Sequence, residues 1–197
     1  MGKPLTENFY LNTNVLSIAR ELLGKELMVK RGNKFLSGII TETEAYAGVI
    51  DRASHAFNNK RTPRTETMYM KGGVAYVYLC YGIHSLFNVV TNNEGIPEAV
   101  LIRSVFPAKG FDTSTFSHMK KIGNGPGRTS KLLGIMIDHN ATSLINGNIK
   151  IIDHDMYVPD NQIVASPRIG VDYAGEDAKL PYRFYIHDEY LQKLFMK

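Results

Sequence analysis

The sequence predicts one α+β domain over residues 1–197, built on a curved, largely antiparallel β-sheet with flanking helices and a protruding β-hairpin. Three observations lead to this prediction. Runs of branched and aromatic residues are joined by short glycine turns, which favours antiparallel hairpins. Stretches with the helical spacing of apolar residues are few and short. The chain has no internal repeat and no linker, and its 197 residues fit a single hydrophobic core.

The predicted order of elements begins with a helix and a hairpin. Val15, Ile18 and Leu22 fall on one helical face, and Gly24 can end that helix. The strand-like runs that follow meet at Gly32, which favours a tight turn. The predicted elements are a helix over residues 15–23 and strands over residues 26–30 and 34–46.

A long polar segment then interrupts the regular pattern. It covers residues 51–71, contains Pro63 and has no hydrophobic period. Irregular segments of this length are uncommon in compact domains and are usually functional. Beyond the segment, runs rich in tyrosine and branched residues on both sides of Gly82 predict a second hairpin, and another branched run predicts one more strand. These strands are predicted over residues 74–81, 85–91 and 99–105.

The remaining elements are predicted from shorter signals. Residues 112–122 have a weak helical pattern, and Gly125-Pro126-Gly127 forms a glycine-rich turn ahead of another short helix. The predictions are a helix over residues 128–133, strands over residues 149–152, 162–165, 169–172 and 183–186, and a terminal helical turn capped near Asp188.

Composition limits the classes of function. The only cysteine, Cys80, excludes an internal disulfide and a cysteine-based zinc cluster. No apolar run approaches the roughly 20 residues of a membrane-spanning helix. The first ten residues are polar, unlike a secretory signal. The six histidines lack metal-ligand spacing, so no metal site is predicted.

Basic residues are concentrated in two segments. The formal net charge is +4, but residues 60–71 carry four bases against one acid, and residues 103–131 carry six against one. Clustered bases attract phosphate groups, which favours a nucleic-acid partner. Two solvated basic loops explain the same charge equally well.

Two acidic residues near the end of the second predicted strand are the first candidates for chemistry. Glu42, Glu44 and Tyr46 share one face of an unbroken strand, and two neighbouring carboxylates repel, which can raise one pKa. Such a pair commonly marks a solvent-facing edge. Here an aromatic residue and the long basic segment follow, which indicates a carboxylate that activates water near a sugar or a base. Arg103 interrupts an apolar run and needs a partner, either in a salt bridge that holds the sheet or in Glu44.

The second predicted hairpin carries further candidates. Tyr76 and Tyr78 share one strand face, and packing accounts for at least one of them. Tyr81 precedes Gly82 at the predicted tip, where an exposed aromatic residue can act as a wedge between stacked bases. Asn88 is either a hydrogen-bonded core residue or a reader of a ligand edge.

A series of short motifs follows along most of the chain, from about residue 22 to residue 186. They read Glu42-Thr43-Glu44-Ala45-Tyr46, Ala53-Ser54-His55-Ala56, Arg61-Thr62-Pro63-Arg64, Met68-Tyr69, Tyr76-Val77-Tyr78, Tyr81-Gly82, Asn88, Leu101-Ile102-Arg103, Gly125-Pro126-Gly127, Arg168-Ile169-Gly170-Val171 and Ala174-Gly175-Glu176. Each motif is weak alone, but the ordered set is highly specific. It resembles the alkyladenine (3-methyladenine) DNA glycosylase family of the mammalian alkyl-purine type.

The resemblance implies a monofunctional DNA glycosylase that extrudes a damaged purine from duplex DNA and hydrolyses its N-glycosidic bond, leaving an abasic site. The implied lesions are 3-methyladenine and 7-methylguanine, with hypoxanthine and ethenoadenine as further candidates. The implied roles are Glu44 as general base, with Arg103 and the backbone carbonyl of Ile169 holding the water; Tyr46, His55, Tyr78 and Asn88 as the base pocket; Tyr81 as the intercalating residue; and Thr62, Arg64, Ile83, His84 and Arg128 as DNA contacts.

The resemblance also implies no cofactor and no metal, double-stranded DNA with damaged purines as the partner, no membrane contact and a monomeric protein. The short form suggests a bacterial, cytoplasmic protein that acts at the nucleoid. The family pattern differs here at Thr65, Ile83, His84 and Arg128, which affects DNA contacts more than the catalytic core. A neighbouring Arg103 should hold the pKa of Glu44 down.

Two other functions are compatible with the same residues. A magnesium-dependent nuclease could use the carboxylates of Glu42, Glu44 and Asp51. A non-catalytic module could bend DNA with the Tyr81 wedge.

Overall fold

The computed structural model describes residues 2–111 and 123–195. Within these ranges one nine-stranded sheet dominates, and all of its strand pairs are antiparallel. The strands are β1 (Lys3–Pro4), β2 (Glu26–Arg31), β3 (Lys34–Tyr46), β4 (Ala75–Cys80), β5 (His84–Thr91), β6 (Glu98–Lys109), β7 (Ile149–Asp153), β8 (Ile163–Ser166) and β9 (Arg183–Ile186). The main path runs β1-β7-β2-β3-β6-β5-β4, and β9 branches from β3 to pair with β8. The predicted α+β class is confirmed, and the sheet is open.

Helices are short and flank the sheet. They are α1 (Glu7–Tyr10), α2 (Val15–Glu21), α3 (Pro126–Leu133) and α4 (Asp188–Phe195). The start of α2 is fixed by Asn14, whose side-chain oxygen accepts hydrogen bonds from the backbone N–H groups of Leu16 and Ser17, each 3.1 Å long. Gly24 follows with φ of +85°, a conformation that suits glycine at a helix end. The predicted first helix is therefore confirmed, although it ends two residues earlier than expected.

The central strand β3 connects the two halves of the sheet. Its first half pairs with β2 and β6, and its second half pairs with β6 on one side and β9 on the other. The register against β6 shifts on both sides of Glu42, which is the signature of a β-bulge. The predicted polar stretch of β3 thus lies in the middle of the sheet, enclosed by strands on both sides.

Both predicted hairpins are present, at Gly32 and at residues 81–83. The strand predicted over residues 169–172 is wrong. Residues 169 and 170 form a bend that leads into a 3₁₀ stretch at Asp172–Lys179. The reason is that the backbone N–H of Ile169 donates to the side chain of Glu44 and has no strand partner. The weak helix predicted over residues 112–122 lies outside the described residues.

The long polar segment is irregular except for 3₁₀ turns at Phe57–Asn59 and Glu66–Tyr69. It covers a second apolar cluster, separate from the main core, formed by Ala56, Met68, Tyr69, Tyr76, Val90 and Ala99. The hydroxyl of buried Thr65 accepts a hydrogen bond from the Thr62 N–H at 2.8 Å and donates to the Lys60 carbonyl at 3.0 Å. These bonds fix the fold of the segment between residues 60 and 65.

Candidate active site

A cavity of about 530 Å³ opens between β3, the long polar segment, the β4–β5 hairpin and the bend at residues 169–170. These elements are far apart in the chain, yet they bring together most of the predicted site residues. Those lining the cavity are Glu44, Arg103, Ile169, Tyr46, His55, Tyr78, Asn88, Tyr81 and Arg64. The other predicted residues lie near the cavity mouth or at the hairpin tip.

Glu44 is the fully buried carboxylate of this cavity. Its Oε1 accepts a hydrogen bond from the backbone N–H of Ile169 at 2.8 Å and lies 3.2 Å from Nη1 of Arg103. Its Oε2 accepts a hydrogen bond from the Tyr46 hydroxyl at 2.9 Å. Two hydrogen bonds, one to each oxygen atom, and the ion pair with Arg103 therefore hold the carboxylate in one orientation.

The pKa of Glu44 is raised above its ordinary value. Burial is the largest cause, and it outweighs the attraction of Arg103 and the hydrogen bonds from Ile169 and Tyr46, all of which act to lower the pKa. The expected lowering by Arg103 is therefore present, but the larger effect of burial leaves the pKa of Glu44 raised. Repulsion from Glu42 adds only the last and smallest contribution.

Arg103 pairs with both carboxylates of β3. Its Nε donates to Oε1 of Glu42 at 3.0 Å, and the same oxygen accepts from Nη1 of Arg183 at 2.9 Å. The two predicted alternatives for Arg103 thus occur together. Its ion pair with Glu42 links β6 to β3 within the sheet, and it also forms an ion pair with Glu44. Arg183 was not predicted from the sequence. Because it also pairs with Glu42, that carboxylate has a structural role and does not line the cavity.

Aromatic rings form the walls of the cavity. The His55 ring lies 4.7 Å from that of Tyr78 in an edge-on arrangement, and its Nδ1 is hydrogen-bonded to the Tyr76 hydroxyl at 2.9 Å. Burial lowers the pKa of His55 to about 4, with further lowering by Arg64 and Lys60. Burial also raises the pKa of Tyr76 to about 12. At neutral pH this wall is therefore uncharged.

The ring of Tyr46 is supported from behind by Arg168. The guanidinium carbon of Arg168 lies 4.9 Å from the centre of that ring and 5.2 Å from that of Tyr182. Arg168 is buried and binds both oxygen atoms of Asp51, one of them from Nη2 at 2.8 Å, and it donates to the Ala45 carbonyl at 3.0 Å. Sequence reasoning gave this residue no role, because Arg168 follows Ser166 and Pro167 and does not interrupt an apolar run.

The pairing of Asp51 with Arg168 bears on the predicted carboxylate trio. Asp51 also accepts hydrogen bonds from the backbone N–H groups of Ala47 and Ala53, so it acts as a structural anchor of the segment. Asp51 is paired with Arg168, whereas Glu42 and Glu44 are both paired with Arg103. In the described part of the chain, no group of three or more His, Cys, Asp or Glu side chains is arranged to hold a metal ion.

Asn88 lies on β5 with its side chain in the cavity wall. Its Nδ2 donates to the Tyr76 carbonyl at 3.0 Å and to the Leu86 carbonyl at 3.4 Å. Both predicted alternatives therefore remain compatible, because a hydrogen-bonded amide can also border a ligand. Its orientation is fixed by the backbone of the two hairpin strands.

The hairpin tip is the most exposed apolar feature near the cavity. The Tyr81 side chain is 92% exposed and Ile83 is 73% exposed. Tyr81 has φ of +52°, which is rare for a residue other than glycine, and it is followed by Gly82 at +73°. This conformation turns the chain tightly at the tip, at the mouth of the cavity.

The remaining predicted DNA contacts lie around this mouth. Arg64 is stacked over the Tyr78 ring at 4.9 Å, and Thr62 is bonded to Thr65 within the polar segment. His84 packs against α3, where a Cβ atom added to Gly127 would lie 3.1 Å from its ring, so a glycine allows the close approach. Arg128 is exposed on α3.

Among residues 2–111 and 123–195, no helix has the length and apolar character to cross a bilayer.

Comparison with known proteins identifies the family. A sequence profile described as methylpurine-DNA glycosylase matches residues 8–190. The chain belongs to the methylpurine-DNA glycosylase family. It is 43% identical over 196 residues to a protein of Chlamydia felis, which covers 96% of this chain and 100% of that relative. A Bdellovibrio bacteriovorus protein is 41% identical over 186 residues, covering 93% and 95% of the two chains.

A protein of Myxococcus xanthus is similar as well, with 44% identity over 184 residues that cover 93% of this chain and 90% of the relative. All three relatives are named provisionally as 3-methyladenine DNA glycosylases. The predicted resemblance is therefore confirmed. As a methylpurine-DNA glycosylase, the protein is a DNA repair enzyme that hydrolyses N-glycosyl bonds.

Proposed function

We propose that this glycosylase excises alkylated purines that have been flipped out of duplex DNA, and that Glu44 activates the attacking water. One observation carries the proposal. A fully buried carboxylate, held by two hydrogen bonds and an ion pair, borders an aromatic cavity of about 530 Å³ whose mouth carries an exposed tyrosine.

The hydrogen bonds of Glu44 leave room for a water molecule. A carboxylate has about four acceptor positions, and here the hydrogen bonds from Ile169 and Tyr46 occupy two of them, while Arg103 contributes an ion pair. A water that donates to a remaining position can transfer its proton to Glu44 while its oxygen forms a bond to C1′ of the sugar. The bond from C1′ to the purine nitrogen breaks, and its electron pair leaves with the base. Arg103 and the carbonyl of Ile169 are proposed to position this water.

The cavity suits a purine with a positive charge. A purine methylated at N3 or N7 is cationic in DNA and leaves as a neutral base, so its departure needs no general acid. Tyr46 and His55 are proposed to stack on its two faces, with Tyr78 at its edge, because electron-rich rings attract cations. His55 is neutral at pH 7, since its pKa is about 4, and adds no repulsion.

Extrusion of the base follows from the depth of Glu44. A base stacked in a duplex cannot bring its sugar to a buried carboxylate, so the nucleotide must leave the stack. Tyr81 is proposed to fill the gap, and Asn88 to disfavour guanine at its exocyclic amine. Thr62, Arg64, Ile83, His84 and Arg128 are proposed as contacts to the DNA around the cavity mouth.

The proposed substrates are 3-methyladenine and 7-methylguanine, with hypoxanthine and ethenoadenine as additional candidates. We also propose that residues 1–197 act as one domain and as a monomer. The named relatives are bacterial, which supports a site of action on nucleoid DNA in the cytoplasm.

Glu44→Gln tests the proposal against the matched variant Glu42→Gln. Both carboxylates contact Arg103, but only that of Glu44 lines the cavity. We expect Glu44→Gln to slow base release from methylated DNA by about 10²- to 10⁴-fold, the usual contribution of a general base, with little change in DNA affinity. Glu42→Gln should retain most of the activity. Release by Glu44→Gln at nearly the wild-type rate would refute the assignment.

A further inference from the structure

Arg183 on β9 lies directly opposite Glu44 in the sheet. The two residues are register partners in the antiparallel pair of β3 and β9, so their side chains emerge on the same face. Arg183 is partly buried, but it is not among the residues that line the cavity. Its Nη1 instead donates to Oε1 of Glu42 at 2.9 Å. A charged side chain therefore lies beside the proposed general base without bordering the space for the substrate.

Four charged side chains form a row of alternating sign on this face of the sheet. Their order is Arg183, Glu42, Arg103 and Glu44. A single oxygen atom of Glu42, Oε1, accepts hydrogen bonds from both arginines, at 2.9 and 3.0 Å. Arg103 then lies 3.2 Å from Oε1 of Glu44. Among the described residues, neither carboxylate forms an ion pair with any other side chain, so without Arg183 both would depend on Arg103 alone.

Arg183 also holds the segment that leads into the bend at residues 169–170. Its Nε donates to the Ser166 hydroxyl at 3.0 Å and to the Pro167 carbonyl at 3.1 Å. Two residues after Pro167, the backbone N–H of Ile169 donates to Oε1 of Glu44 at 2.8 Å. The arginine is therefore connected through a short stretch of backbone to the amide that binds the carboxylate.

We propose that Arg183 is a positioning residue for base release, which keeps both contacts of Glu44 Oε1 in place. By binding Glu42, it leaves Arg103 available to Glu44. By binding residues 166 and 167, it holds the Ile169 amide at the same oxygen atom. The proposal rests on the proposed function, in which this carboxylate activates the attacking water. If Arg183 only stabilised the sheet, its loss would lower stability but leave the pH dependence of base release unchanged.

The acid side of the pH–rate profile separates these two roles, because it reports the carboxylates. The charged or titratable side chains that act on Glu44 or lie opposite it are Glu42, Tyr46, Arg103, Arg168, Tyr173 and Arg183. Burial raises the pKa of both tyrosines, and arginines stay protonated. His55 in the cavity wall has a pKa of about 4, whereas burial raises the pKa of Glu44 above its ordinary value.

The test compares Arg183→Met with Arg20→Met in single-turnover base release from methylated duplex DNA across acid and neutral pH. Arg20 is the matched control, because it also forms an ion pair, at 3.0 Å, and also stacks on an aromatic ring. The ring is that of Phe184 at 5.2 Å, whereas Arg183 lies 4.9 Å from the ring of Tyr185. Arg20 belongs to α2 and is not among the residues that line the cavity. Urea unfolding of every variant shows that release is measured on folded protein.

We expect Arg183→Met to slow base release at neutral pH by about 10- to 100-fold, because it displaces the contacts of the general base. Its acid limb should move up by about 0.5–1 pH unit, less than the effect of a directly adjacent charge. Arg20→Met should change neither quantity. Glu42→Gln, added to Arg183→Met, removes the carboxylate that competes for Arg103, so the limb should return to its wild-type position and part of the rate should recover.

Several outcomes would overturn the proposal. One is a wild-type rate and acid limb in Arg183→Met, and another is a slower rate with an unmoved limb that Glu42→Gln does not improve. If Arg183→Met does not fold, Arg183→Lys replaces it. A lysine keeps the charge but cannot bind Glu42 and the bend together, so the limb should stay while the rate falls, and a wild-type rate would overturn the proposal. Undiminished release by Glu44→Gln would instead show that the proposed function itself has failed.

Discussion

Replacement of Arg168 by methionine should destabilise the protein and slow base release together. Methionine keeps an unbranched apolar side chain but removes the guanidinium that binds Asp51 and supports the Tyr46 ring. The Asp51 carboxylate is then left buried without its counter-ion, although the backbone N–H groups of Ala47 and Ala53 still bind it at 3.0 and 2.9 Å.

The magnitude follows from these contacts. Removal of one partner of a buried ion pair typically costs about 3–5 kcal/mol, and the two remaining amide donors favour the lower end, about 3 kcal/mol. Loss of the stacking of Arg168 on Tyr46 and Tyr182 adds about 0.5–1 kcal/mol each. The expected loss in the free energy of unfolding is therefore about 4 kcal/mol. The exposed pair of Lys179 and Glu176 is the control, and Lys179→Met should cost less than about 1 kcal/mol.

Urea unfolding at pH 7 of Arg168→Met, Asp51→Asn and the double variant measures the coupling between the two side chains. We expect a coupling energy of about 2–3 kcal/mol, because the second substitution removes a charge that the first has left unpaired. Single-turnover base release by Arg168→Met should fall by about 10- to 100-fold, since both Tyr46 and the Ile169 amide lose their support. Additive losses in the double variant, or a cost as small as that of Lys179→Met, would refute the reasoning.

The pH dependence and the hairpin tip provide further predictions. Because burial raises the pKa of Glu44 and the base must be ionised, the rate on cationic lesions should decline on the acid side at a pH above the ordinary carboxyl value of 4.5. Tyr46→Phe removes a hydrogen bond that lowers this pKa, so the acid limb of its pH–rate profile should move to still higher pH. An acid limb that stays in place or moves to lower pH would contradict the assigned contact. Tyr81→Ala should weaken the capture of paired lesions more than that of mismatched lesions, which leave the stack easily, and equal losses in binding and excision assays would argue against a wedge.

Much of the architecture could be predicted because it depends on short-range features. The apolar spacing of α2 and the turns at Gly32 and Gly82 act within a few residues, so the sequence reveals them directly. The strand predicted over residues 169–172 was wrong for the complementary reason. Its branched residues have the local pattern of a strand, but the Ile169 N–H is bonded to a side chain 125 positions away.

The candidate site shows the same division. The residue types and their order, with an acid, an aromatic residue and a hairpin tyrosine in matching sequence, were enough to predict the family and nine of the residues that line the cavity. The support of Tyr46 by Arg168 was not predicted, since it depends on how the long polar segment folds back against residues 168–177.

The sequence by itself therefore determined the class of fold, the family and the chemical groups available to the site. Only the tertiary structure decided how those groups are charged and held. The pKa of Glu44 is the clearest example, because a bonded arginine favours a lower value whereas enclosure favours a higher one. Desolvation is the sum of contributions from atoms that reach the carboxylate from distant parts of the chain, and no local pattern contains that sum.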